Sequence, residues 1–479
     1  MPAAGPGRLD EAQRARSAAR RQAPALSGSL PALGGMVIVL VLMVAIILLD
    51  YTFDQDPHRI LKVAAGVAAI GYILLSPKFG LLLLPVVTPF LPWMPPTPVP
   101  GLNALNILLF AIFGTYAASR ILRREPLVPE NHLGALLGIL VLVCAVSVVR
   151  GAAFPTGYGF DAGLGAINVF RSATTFATYF IVMAMAKGPG DRRKVWWAIA
   201  VGLLLESVVT IVYGRNGSGG RAIGSIGQSN DLGAFLALFA VPAIAGVFGV
   251  KNWFGRVVLL GVFVTACIGV MMSLSRGSMA ALVAGVFVVA WMSSRAAFVV
   301  LLVAMLFSPL WAPDYVKERV ASSSVEVEGS DEVTVDMAAE ARLQTWQSVL
   351  KVVEEHPIEG VGFTGLAYVL PEIGEGLGLE DAKDSAHNTW LRMLAETGIF
   401  GLALFAWLMW KCWALGVKAM RRARDAFDRA LGVGLCGAVV TLAVNCAFGD
   451  RFFNVVIASS FWILCALAED SVAESERAA

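Results

Sequence analysis

Charge is scarce in this sequence. Only 15% of its 479 residues are Asp, Glu, Lys or Arg, where a soluble globular chain carries about 25%. The 57% share of hydrophobic residues exceeds the usual range of about 45–50%. Together the two departures exclude an ordinary soluble domain. Cysteine is sparse and unpatterned: Cys144, Cys267, Cys412, Cys436, Cys446 and Cys465 lie in or beside apolar runs and form no CxxC. That excludes a disulfide framework and a thiolate zinc site. Histidine is scarcer still. His58, His132, His356 and His387 show no ligand-like spacing, so no metal site of the His/Cys type is expected. The Gly-rich stretch at 214–227 lacks the GKS/T of a Walker A loop, and no repeat of about 20–50 residues marks a solenoid or propeller.

Long apolar runs with short polar punctuation are what the chain does have. A membrane helix needs about 17–25 mostly apolar residues to cross a hydrocarbon core about 30 Å thick. Such runs fall near 35–49, 60–76, 79–93, 102–118, 133–149, 167–186, 195–213, 231–249, 257–273, 278–294, 296–311, 388–410, 430–448 and 453–468. The expected fold is an all-α polytopic integral membrane protein with about 12–14 transmembrane helices. When these are threaded from an inner N-terminus, every cluster of three or more basic residues falls on one face. The clusters include Arg120/Arg123/Arg124, Lys187/Arg192/Arg193/Lys194 and Lys418/Arg421/Arg422/Arg424/Arg429. Short cytoplasmic loops hold the excess of Lys and Arg, so that face and both termini are expected in the cytoplasm.

The expected organisation is a disordered cytoplasmic tail over 1–34 and about eleven membrane helices over 35–311. A large extracytoplasmic loop over 312–387 containing short helices follows, then about three membrane helices over 388–468 and a cytoplasmic tail over 469–479. The Arg-rich start is too long for a signal-peptide n-region, and no Ala-x-Ala cleavage site follows its apolar run. A mitochondrial transit peptide has a similar composition and is the lesser alternative.

The loop over 312–387 begins with an acidic, Ser/Val-rich part from Ser322 to Asp336. Leu343, Trp346, Val349, Leu350 and Val353 then recur at helical spacing, which predicts a helix over Met337–Glu355. His356-Pro357 ends it, because proline disfavours helical geometry in the residue before it. A Gly-rich turn from Gly360 to Gly365 follows. This helix is either an amphipathic segment lying on the membrane surface or a lid over a site, and the two readings are compatible.

Four groups on the outer face could carry chemistry. Arg276 stands out, since an arginine at the centre of a membrane helix costs about 2.5–3.5 kcal/mol on insertion scales. Ser273, Ser275, Gly277 and Ser278 surround it, so it either snorkels to the interface or holds an anion, for which a phosphate suits its fork of donors. Arg215 and Arg221 flank a Gly/Ser run that ends at Asn230-Asp231 before an apolar segment, a geometry that favours anions at a helix N-terminus. Arg342 and Trp346 lie on the loop helix, and His387-Asn388 opens the next apolar segment. Asp54-Gln-Asp56, in the first outer loop, resembles the DxD metal motif of lipid-donor glycosyltransferases, a three-residue pattern that arises readily by chance.

His387-Asn-Thr-Trp-Leu391-Arg-Met-Leu394-Ala-Glu396-Thr-Gly398-Ile-Phe-Gly401 resembles the HNxxLxxLxExGxxG signature of the O-antigen ligase and polymerase superfamily. Arg342-xxx-Trp346 followed by Pro357, Gly360 and Gly362, Ser275-Arg276-Gly277, and Arg221-Ala-Ile-Gly-Ser with Asn230 are similar to its other elements, in the same order. Gln228-Ser229 departs from the His-Pro that many relatives show before the Asn. The resemblance spans about residues 215–405. It implies a GT-C-like fold and a metal-independent, cofactor-free glycosyltransferase in the bacterial cytoplasmic (inner) membrane, acting on its periplasmic face. The donor would be an undecaprenyl-pyrophosphate-linked glycan. The acceptor would be a lipid A core in a ligase, a further glycan in a polymerase, or a protein hydroxyl in an O-oligosaccharyltransferase, with no nucleic acid involved. His387, Arg276 and Arg221 would be catalytic, and Arg342, Trp346, Asn388, Arg215 and Asn230 would bind substrate. A transporter of polysaccharide or lipid is the alternative of another class. It would call for charges deep in several helices at mid-membrane, whereas Arg171 and Glu206 are the main embedded charges, both near the outer end and open to pairing.

Overall fold

The computed structural model describes residues 59–94, 101–122, 124, 127, 129–153, 159–307, 324–326, 333–335, 337–376 and 385–478. It separates into two compact units, 1–80 and 81–479. In the first, α1 (Arg59–Leu75) ends in a turn in which the Ser76 amide donates to the Tyr72 carbonyl at 2.8 Å, and Tyr72 meets Phe79 edge-on at 4.6 Å. The next helix, α2 (Pro77–Val87), starts there and passes into a 3-10 turn, Thr88–Trp93, in the second unit.

The second unit continues with α3 (Ala104–Leu122), α4 (Gly134–Ala153), α5 (Ala162–Met185), α6 (Gly188–Tyr213), α7 (Ser229–Gly249) and α8 (Trp253–Met272). Next come α9 (Arg276–Ser293), α10 (Arg295–Leu306), α11 (Met337–Glu355), α12 (Leu366–Gly376), α13 (Thr389–Arg421), α14 (Ala426–Ala447) and α15 (Val455–Ala478). Nine of the described helices are long and apolar enough to cross a membrane: α3, α4, α6, α7, α8, α9, α13, α14 and α15. The polytopic all-α class read from the apolar runs is the fold. Every run from 60–76 onward coincides with helix, and the run at 35–49 lies outside the described residues. Counting runs gives more spans because α1, α2 and α10 are short and α5 carries Asn168, Arg171 and a cluster of Ser and Thr. One small departure from pure helix occurs: Ser324–Glu326 (β1) pairs antiparallel with Val333–Val335 (β2), Val325 opposite Thr334.

Helices dominate because hydrocarbon offers backbone groups no partner other than the chain itself. Where they begin, short polar side chains accept from the otherwise unpaired first amides. Asp161 takes Leu164 N at 3.0 Å, Asn252 takes Phe254 N at 3.1 Å and Asn454 takes Val456 N at 3.0 Å. The core lies along α7, α14 and α15, most of whose residues are buried, whereas α3, α4, α8 and α9 turn much of their apolar surface outward. Small residues allow the central helices to approach as lipid-phase packing requires. A Cβ on Gly285 of α9 would fall 2.0 Å from Thr441 Oγ1 of α14.

The end of the bundle at which α6 begins and α13 finishes is tied by charge. Arg192 is fully buried, with Nη1 2.6 Å from Asp470 and 2.7 Å from Glu474, and Nη2 3.0 Å from Asp428. Glu469 accepts from Tyr179 at 2.9 Å and pairs with His132. Arg422 and Lys418 reach Glu476 at 2.5 and 2.7 Å. The stretch 469–478, expected as a cytoplasmic tail, is the last part of α15, and its acidic side chains clamp it to the bundle.

Candidate active site

The signature segment places its histidine through backbone geometry. His387 has φ +47°, a left-handed conformation uncommon for a residue with a side chain. Its amide donates to Ser385 Oγ at 3.2 Å, and Ser385 Oγ donates to Asp450 Oδ2 at 2.6 Å. Asn388 caps α13, its Oδ1 accepting from Trp390 N at 3.0 Å and Leu391 N at 3.2 Å. Its oxygen serves the helix start, a role the expectation of substrate binding did not include.

Glu396 and Gly398 explain why the signature continues so far into the helix. Gly398 breaks α13 with φ +70° and ψ −173°, a combination essentially confined to glycine. The break lets the 357–362 turn lie against the helix. Ile399 N donates to Pro357 O at 3.0 Å, Val361 N to Ala395 O at 2.8 Å and Gly362 N to Glu396 O at 3.0 Å. A Cβ at Gly398 would sit 1.8 Å from Ile358 O, and one at Gly360 would sit 2.5 Å from Glu396 C.

The loop helices rest on this platform. Val349 and Val352 of α11, Val361, Leu366, Val369 and Leu370 of the following turn and α12, and Ala386 and Ala395 form one buried cluster, with Val353 packed against it. Trp346 donates from its indole to Ala386 O at 3.0 Å. Leu343 and Leu350, expected on the same apolar face, are about half exposed at 47% and 46%. The buried stripe is therefore narrower than the spacing suggested.

His387 lines a cavity of about 330 Å³ with Arg171, Arg392, Arg451, Asp231 and Asp450, and with the rings of Phe363 and Phe453. Each cation is held differently. Arg392 is committed: its Nε is 3.0 Å from Glu396, its Nη1 is 3.7 Å from Asp450, and its guanidinium lies 5.4 and 5.2 Å from the ring centroids of Phe363 and Phe453. Arg451, in the turn between α14 and α15, is buried and paired with Asp231. Burial, then the like charge of Arg221, lowers its pKa to about 10. The Asp231 carboxylate acts in the opposite sense, and Arg451 is charged at neutral pH either way. Arg171 is exposed and makes no side-chain ion pair or hydrogen bond among the described residues.

The other residues expected to act do not line this cavity. Arg221 donates to Ser273 O at 2.9 Å and to Asn230 Oδ1 at 2.6 Å, so it ties the Gly-rich turn to the start of α9, where Arg276 is the first residue. Ser278 Oγ donates to Asn445 Oδ1 of α14 at 3.2 Å. Arg215 is exposed, and Arg342 and Trp346 belong to α11. Glu206 is fully buried and accepts from Ser225 N at 3.0 Å and from the Ser225 hydroxyl, which fixes the Gly-rich turn. Its partner is that serine, whereas Arg171 faces the cavity.

Sequence reading passed over the turn between the last two helices, where no motif was found. That turn brings Asp450 and Arg451 to the site. Its signal was an adjacent pair of opposite charges between two apolar runs, on the face that receives His387. Among the described residues no group of three or more His, Cys, Asp or Glu is arranged to hold a metal ion, and Asp54 and Asp56 lie outside them. What the cavity offers is three guanidinium groups, two of them paired with carboxylates and one, Arg171, exposed, next to an imidazole able to take a proton.

Residues 261–406 match the model of the O-antigen ligase family. The resemblance to the O-antigen ligase and polymerase superfamily is thereby shown over that stretch, which runs from within α8 past the Gly398 break. Arg171, Asp231, Asp450 and Arg451 lie outside it. No curated protein matches the chain. One similar solved chain comes from a work titled "Structural coordination of polymerization and crosslinking by a peptidoglycan synthase complex". It is 14% identical, with a TM-score of 0.38, over 71% of this chain and 98% of that one. The protein is a multi-pass membrane protein in which residues 261–406 match the O-antigen ligase family.

Proposed function

We propose that the protein transfers an undecaprenyl-pyrophosphate-linked glycan to an acceptor hydroxyl at the periplasmic face of the bacterial inner membrane, without a metal ion. The observation that carries this reading is His387 on the same cavity as Arg171 and Arg451, next to the family-matched segment. The acceptor oxygen attacks the anomeric carbon and gives its proton to His387. The bond from that carbon to the phosphate oxygen breaks, and the pyrophosphate leaves with the electron pair. Negative charge grows on the leaving group, so preorganised guanidinium groups stabilise the transition state more than the ground state. Arg171 approaches it freely, and Arg451 exchanges Asp231 for phosphate. Arg221 and Arg276 add positive potential from the start of α9.

A ligase is favoured over a polymerase by a single long loop with one docked helix pair, α11 and α12. One mobile lid suffices for one lipid-linked glycan and one bulky acceptor. Removal of the protein from its host is then expected to leave full-length polymer on undecaprenyl pyrophosphate, unattached to its final acceptor. Accumulation of single repeat units without long chains would make it a polymerase instead. Chelation with EDTA is expected to leave the transfer rate unchanged. Reversible inhibition would instead direct attention to Asp54 and Asp56.

A further inference from the structure

A second site lies at the opposite end of the bundle. Between the α9–α10 hairpin and the α13–α14 hairpin runs an open cleft of about 680 Å³, lined by Trp291, Phe298, Trp413 and Met420 together with Arg421 and Arg429. Phe298 of α10 meets Trp291 of α9 edge-on at 5.2 Å and Phe287 at 5.6 Å, which makes one wall continuous aromatic surface. Trp291 is 70% exposed at the end of its helix, the depth at which tryptophan gathers at membrane interfaces.

Charge distinguishes this cleft from its surroundings. Neighbouring basic residues are matched by carboxylates: Arg192 by Asp428, Asp470 and Glu474, Arg193 by Asp425, Lys418 and Arg422 by Glu476, and Arg424 by Glu474. Arg421 and Arg429 have no carboxylate within ion-pairing distance among the described residues, and no Asp or Glu lines the cleft. Two uncompensated guanidinium groups beside an aromatic wall are complementary to an anionic amphiphile. A soluble anion would use the charge and leave the wall bare. A zwitterionic lipid would bring a cation to the two arginines.

We propose that this cleft binds an anionic phospholipid of the adjoining leaflet, its phosphodiester between Arg421 and Arg429 and its acyl chains along Trp291, Phe298 and Trp413. Clusters of basic residues at membrane-helix ends gain attraction from anionic headgroups, and the guanidinium fork suits a phosphate. The site does not depend on the glycan reading, since α13 carries Arg421 some 50 Å of helix away from His387 at about 1.5 Å per residue.

The test is native mass spectrometry of the full chain in detergent, titrated with phosphatidylglycerol and with phosphatidylcholine of the same acyl chains. Phosphatidylglycerol is expected to bind at least about tenfold more tightly. At about fivefold per arginine, Arg421→Gln with Arg429→Gln should weaken it by about thirtyfold. Arg421→Lys with Arg429→Lys should retain most of the affinity, because phosphate accepts an ammonium as a point charge. This second variant keeps the question answerable if the neutral pair does not fold. Equal affinity for the two lipids, unchanged affinity in the glutamine pair, or displacement of phosphatidylglycerol by millimolar inorganic phosphate would each overturn the proposal.

Discussion

Replacing His387 with alanine is expected to lower glycan transfer by about 10²–10⁴-fold, the usual worth of a general base. Assays on isolated membranes with a lipid-linked donor would measure this, alongside the amount of inserted protein. The hydrogen bond from the backbone amide at this position to Ser385 is retained in the variant. Arg171→Ala is expected to lower transfer by a comparable factor if the free guanidinium stabilises the leaving pyrophosphate. Arg276→Lys should be poor if its planar fork matters. Near-wild-type transfer by His387→Ala, at normal protein levels, would remove the proton-accepting role. A drop in transfer matched by a drop in inserted protein would mean that the residue serves the fold alone.

Gly398→Ala is expected to damage the protein more broadly. A non-glycine residue in that conformation is strained by about 1–3 kcal/mol, and the added methyl group would fall 1.8 Å from the Ile358 carbonyl. The turn must then lift from α13, endangering three backbone hydrogen bonds worth about 0.5–1.5 kcal/mol each. A loss of roughly 3 kcal/mol or more in stability should follow. The expected readouts are a lower thermal unfolding temperature, faster proteolysis within 337–376 and lost transfer. Wild-type stability together with wild-type transfer would show that the break in α13 is not required. Gly401→Ala is expected to be destabilising as well, since its Cβ would fall 1.8 Å from Thr397 Oγ1 and 2.5 Å from Thr397 Cβ.

The helices were legible because an apolar run in a membrane has almost no other way to satisfy its backbone. For the same reason α11 could be read from spacing and its end from Pro357. The signature around His387 was legible as a pattern, yet the pattern did not reveal its mechanics. That Asn388 caps a helix and that Gly398 makes room for another turn follow only from tertiary contact. Arg171, Asp450 and Arg451 were hidden for a different reason. Arg171 is a single charge in one apolar run and Asp450-Arg451 a short charged turn between two others, and only the packing of α5, α13 and the α14–α15 turn brings them to one cavity. The possible pairing of Arg171 with Glu206 failed on the same ground, since Ser225 reaches the carboxylate first through the fold of the Gly-rich turn.

The clamp on α15 bears on the order in which the machine becomes functional during synthesis. Arg192 is made early, yet Asp470 and Glu474 that neutralise it follow nearly every other described element in the chain. Asp450 and Arg451, which complete the cavity wall, also emerge late, immediately before α15. A ribosome-bound chain that already displays His387 therefore has an unfinished site and a buried arginine lacking two of its three counter-charges. The charge clamp and the cavity wall are thus both completed by the last part of the described chain.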